Sequence, residues 1–85
     1  MIAPSIHLNG SSAESLLAEY EAAGAALRSA LVALGEAAPN ARDYYPQGPD
    51  AYAQAAREHG SRIERLRAVL EEIAQLHEFV SGAVS

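Results

Sequence analysis

The chain has 85 residues, a formal net charge of −5 and no cysteine, so it makes at most one domain and has no disulfide staple or thiolate metal site. Its acidic balance argues against general DNA or RNA binding, which needs a basic face to neutralise phosphates. Hydrophobic residues make up 49%, but many are alanine, which buries little area at roughly 25 cal/mol per Å², so self-association is expected to supply the missing burial.

Residues 1–10 read as a short extended arm. Pro4 disfavours helix at Ala3, and Ile2, Ile6 and Leu8 alternate as in a strand or docking segment. With no partner strand in the sequence, the arm is expected to lie across a helix or a neighbouring subunit, with His7 in solvent. The start, Met1-Ile-Ala-Pro-Ser, lacks the basic residues and long apolar run of a secretory signal. No stretch is apolar enough for long enough to span a membrane, and a cytoplasmic location is the expectation.

Ser11-Ser12-Ala13-Glu14 has the form of a capping box, in which a serine hydroxyl accepts a backbone N–H and the glutamate reaches back. From there Leu17, Tyr20, Gly24, Leu27, Leu31 and Leu34 recur at alternating steps of three and four, a heptad seam. Leu16, Ala23 and Ala30 widen one edge of it. Gly24 costs about 1 kcal/mol against alanine in a helix interior, and its alanine neighbours predict close helix approach there. Pro39 ends the pattern, so helix one is predicted over residues 12–37.

Gly48-Pro49-Asp50 opens the second helix, with proline in a first turn and aspartate complementing the positive helix N-terminus. Tyr52, Ala56, His59, Ile63, Leu66, Leu70, Ile73, His77 and Val80 continue the seam, and Val69 and Leu76 form a second stripe beside it. Helix two is predicted over 49–81, weakened at Gly60 and fraying past Gly82 toward Ser85. One facing helix cannot cover two stripes. The predicted fold is therefore all-α: a single domain over 1–85, an antiparallel two-helix hairpin with an arm at 1–10 and a loop at 38–48, assembling into an oligomeric bundle. Such a hairpin pairs Leu34 with Tyr52, Leu27 with His59 and Leu17 with Leu70.

Catalytic motifs are missing from the sequence. The residues three before His59 and His77 are both alanine, so no Glu-x-x-His pair of a di-iron bundle is formed. No His-Glu-x-x-His zinc motif, phosphate-cradling glycine loop or nucleophile elbow occurs. A non-enzymatic protein without cofactor or metal is expected.

The loop Arg42-Asp43-Tyr44-Tyr45-Pro46-Gln47-Gly48 is the least generic stretch. A plain connector would use Gly, Asn, Asp or Ser. One reading has a tyrosine covering the open end of the bundle beside Leu34 and Tyr52, with Arg42 and Asp43 solvated. The other is a binding site, in which tyrosine faces stack on a ring, Arg42 forks to an anion and Gln47 reads a base edge. Every cationic side chain is arginine, whose planar fork suits carboxylate and phosphate, although such a bias also follows from a GC-rich genome. Arg57, His59 and Arg62 stand early in helix two. His59 occupies a seam position, as a buried histidine satisfied by a tyrosine or carboxylate or as a polar position facing a pocket. Glu58 and Arg62 are spaced for an i,i+4 pair. Arg65 and Arg67 are expected in solvent or paired with Glu64 and Glu71, and His77 as interfacial packing.

Leu8-Asn9-Gly10-Ser11-Ser12, Ala38-Pro39-Asn40, the Arg42–Gly48 loop, and Glu58-His59 with Arg62 together resemble a group of small uncharacterised phage and prophage proteins. The resemblance spans most of the chain, with the tyrosine loop its one specific piece, and it carries no known activity. It implies a phage-encoded accessory protein in the cytoplasm of a bacterial host. By analogy of size and style, it also raises anti-defence proteins that sequester nucleotide signals. Two functions follow. One is an oligomer binding a small anionic nucleotide or cyclic nucleotide through Arg42, Tyr44, Tyr45, Gln47, Arg57, His59 and Arg62. The alternative is a structural, assembly or protein-interaction module whose loop docks a protein partner, since tyrosine and arginine also dominate protein interfaces.

Overall fold

Ser12 begins the first helix because its hydroxyl accepts the Ser15 N–H at 3.0 Å, satisfying one donor of the opening turn. The computed structural model describes residues 1–84; the second helix continues through Gly82 to Ala83, two residues beyond the predicted end, and of the expected fray only Ser85 lies outside the described residues. With Ser12 as the cap, the third helical position falls on Ser15 rather than Glu14. Glu14 therefore stands in the first turn as a charge complement to the helix dipole, and the reciprocal half of a capping box does not form.

The helix α1 (Ala13–Glu36) and the helix α2 (Ala51–Ala83) pack against each other as a helical hairpin, and no strand occurs among the described residues. Helix α2 continues without a break through Gly60, where nothing approaches the missing side chain within 4 Å. Its 33 residues span about 50 Å at 1.5 Å per residue, most of the 61 Å length of a molecule only 20 Å across. No helix among the described residues is long and apolar enough to cross a membrane.

The predicted seam of α1 faces inward over its whole length. Leu16, Leu17, Tyr20, Ala23, Gly24, Leu27, Ala30, Leu31 and Leu34 are all half-buried or buried. Along α2 the seam holds from His59 to Val80, but Tyr52 and Ala56 are exposed, and Ala51 and Ala55 take the covered positions instead. The connector explains this. Residues 37–50 fold into two 3-10 turns, Ala41–Asp43 and Tyr45–Gln47, and the second packs on α2. The first turns of α2 thus run past the end of α1 and lie beside the connector rather than the facing helix.

The register differs accordingly from the heptad expectation. His59 reaches Leu34 instead of Leu27, a displacement of one heptad, and toward the other end His77 reaches Glu21. Helix α2 starts two residues later than predicted because Gly48 turns the chain with φ +111, a conformation that favours glycine, leaving Pro49 and Asp50 in the turn.

Very little is enclosed. Val80 is the one large hydrophobic residue fully covered among those described, at 0% exposure, and Val32, Val69 and Phe79 stand at the surface. In the arm Ala3 and Pro4 are half-buried, while Ile2, Leu8 and His7 are exposed. Gly24 is buried, yet a β-carbon there would lie 3.5 Å from the Arg28 guanidinium of its own helix, an ordinary contact, with nothing from α2 closer. Close helix approach is therefore not what Gly24 provides.

Candidate functional site

The connector holds its shape through local polar contacts. The Asn40 side chain accepts the Arg42 N–H at 3.2 Å, and backbone bonds from Asp43 to Asn40, Tyr44 to Ala41 and Gln47 to Tyr44 close the turns. This ordered loop splits the two tyrosines. Tyr44 is half-buried, whereas Tyr45 is 76% exposed at the connector end of the hairpin. The side chains of Arg42, Gln47 and Arg57 are exposed, and none of the three makes an ion pair or side-chain hydrogen bond among the described residues.

His59 and Arg62 form the one pair among the seven candidates joined by a hydrogen bond between side chains. The His59 Nε2–H donates to the Leu34 carbonyl at 2.6 Å, and Arg62 Nη1 donates to His59 Nδ1 at 3.5 Å. A carbonyl only accepts and a guanidinium only donates, so the proton on the ring belongs at Nε2. The partner of this 7% exposed histidine is thus a backbone oxygen in the last turn of α1, not a tyrosine or carboxylate. The Leu34 carbonyl also accepts the Ala37 N–H at 3.1 Å, and its second lone pair is free to take the ring. Arg62 consequently does not pair with Glu58, which accepts from Gln54 instead at 3.1 Å. Arg65 bonds the Ser61 carbonyl of its own helix at 3.2 Å, and no arginine forms an ion pair among the described residues.

Among the described residues two hollows of about 260 Å³ each stand out along the hairpin, and neither is lined by Arg42, Tyr44, Tyr45, Gln47, Arg57 or His59. One is a cleft over Gly24 between the helices, flanked by Tyr20, Arg28, Leu70 and Ile73, where His77 Nε2 donates to Glu21 Oε1 at 3.1 Å. The other lies among Leu34, Arg62, Arg65, Leu66 and Val69. The signal for both was present in the sequence, in the missing side chain at Gly24 and in Val69 beside the main seam. No group of three His, Asp or Glu residues gathers as a metal site among the described residues.

The chain matches no protein-family model, no curated protein and no solved structure.

Proposed function

We propose that this chain is a non-enzymatic, self-associating, antiparallel helical hairpin that serves as a protein-interaction module, with the connector loop as its docking element. The observation that carries the reading is Tyr45, a large aromatic side chain 76% exposed on a loop ordered by its own hydrogen bonds and outside either hollow. Aromatic and arginine side chains presented on a pre-ordered surface are the usual anchors of protein interfaces. Self-association is supported by the near-absence of enclosed hydrophobic side chains, and the setting proposed is the cytoplasm of a bacterium carrying a phage gene.

A photo-crosslinking residue placed at position 45, in the bacterium that carries the gene, is expected to give discrete protein adducts that an equivalent probe at exposed Glu36 does not. Identical adduct patterns at both positions overturn the docking role.

A second reading retains the anionic ligand, a nucleotide or cyclic nucleotide held by Arg42, Tyr44, Tyr45, Gln47, Arg57, His59 and Arg62. It is favoured by the exposed guanidinium groups of Arg42 and Arg57, which have no acceptor among the described residues. Native mass spectrometry with mononucleotides and cyclic di- and trinucleotides separates the two. Whole-number ligand mass on the wild type that disappears in Arg42→Ala and Tyr44→Ala would move the assignment to this second reading.

A further inference from the structure

The geometry points to the face of α2 bearing Arg62, Arg65, Val69, Glu72 and Leu76 as the self-association surface, occupied by the same face of a second copy in antiparallel orientation about a two-fold axis beside Val69. This rests on the self-association proposed above and specifies where and how it occurs. The chain exposes 6149 Å². A compact protein of 8.9 kDa exposes about 4,800 Å², and the excess of about 1,300 Å² exceeds the roughly 800 Å² per partner that a standard interface covers. The hairpin as a whole therefore has surface to spare for such an interface, and the composition of this face says what covers it.

Residues 62, 65, 69, 72 and 76 follow one another by three, four, three and four, a second heptad seam on α2 beside the one that meets α1. Val69 at its centre is 44% exposed, and Leu76 is half-buried. On the same side of the hairpin lies Leu34, which shares a hollow with Leu66 and Val69 and continues on α1 through Ala30, Ala23 and Leu16.

In a two-fold arrangement, residues equally far before and after the axis meet, and each contact occurs twice. Centred on Val69, Arg65 of one copy meets Glu72 of the other, within one residue of ideal spacing. The Glu72 side chain makes no hydrogen bond or ion pair among the described residues. The same spacing brings Leu76 of one copy opposite Arg62 of the other, at the mouth of the hollow of about 260 Å³ formed by Leu34, Arg62, Arg65, Leu66 and Val69. A parallel pairing would set Arg65 against Arg65 and Glu72 against Glu72, so like charges exclude that orientation.

The test is charge reversal with sedimentation equilibrium at micromolar concentration, far-UV circular dichroism checking that helix content is kept. Arg65→Glu and Glu72→Arg each are expected to weaken the dimer by about tenfold or more, since each creates two like-charge contacts. The double variant is expected to return close to the wild-type constant. Independently, Val69→Cys, in a chain with no other cysteine, is expected to give a disulfide-linked dimer on oxidation. A wild type that stays monomeric overturns self-association itself and this surface with it. An oligomer indifferent to both reversals and unlinked by Val69→Cys overturns this surface alone and leaves self-association standing.

Discussion

The two ends of the interhelical seam each carry a histidine of α2 against α1, and they behave differently. His59 and His77 are five helical turns apart and occupy the same face. Nevertheless His59 is 7% exposed and donates to a backbone carbonyl. His77 is half-buried and bonds the exposed side chain of Glu21 beside an open cleft. What differs is the acceptor. A helix-end carbonyl is fixed in place and lies at the edge of the packed surface, so the ring must come to it and is covered there. A glutamate can swing outward to meet its donor in water. The first contact fixes register, whereas the second adds little, as exposed pairs generally do.

The seam is most sensitive at Val80, one turn beyond His77, where it closes completely. Val80→Asp puts an unpaired charge at a site with 0% exposure and is expected to cost about 3 kcal/mol or more, read as a fall in urea midpoint by circular dichroism. Next in size, His59→Ala removes a buried ring and its bond to Leu34, with an expected loss of about 2 kcal/mol. The same denaturation curve for His77→Ala is expected within about 0.5 kcal/mol of wild type. Equal losses for the two histidines would mean that the helix-end carbonyl and the exposed glutamate hold their partners equally well.

Smaller and opposite in sign, Gly24→Ala is expected to stabilise by up to about 1 kcal/mol, because the added β-carbon meets only Arg28 at 3.5 Å. Gly60→Ala, with open space around it, is expected to do the same at the other end of the seam. A destabilising Gly24→Ala beside a stabilising Gly60→Ala, in the same urea titration, would mean the helices approach more closely at the cleft than this geometry has them.

Much of the hairpin was legible because helical periodicity is a local property. Every predicted inward position on α1 is covered, and Val69 was recognisable as belonging to a stripe that one facing helix leaves bare. Within the loop, the sequence marked Tyr44 and Tyr45 as unusual but could not say which would be covered. That depends on the two 3-10 turns, whose direction is set by Asn40 and by Gly48 together. Arg62 was likewise spaced for Glu58, and an i,i+4 geometry by itself cannot foresee a competing acceptor on the ring of His59.

By itself the sequence determined two helices, the inward face of α1 and that of α2 from His59 onward, a serine at the first helix start and an interruption between Pro39 and Pro49. Tertiary structure decided the register. A seam repeating every seven residues presents the same apolar surface after a slip of one heptad, so hydrophobic burial distinguishes the alternatives poorly. The choice falls to contacts that do not repeat: the connector folded beside the first turns of α2, and one histidine nitrogen that finds the carbonyl of Leu34.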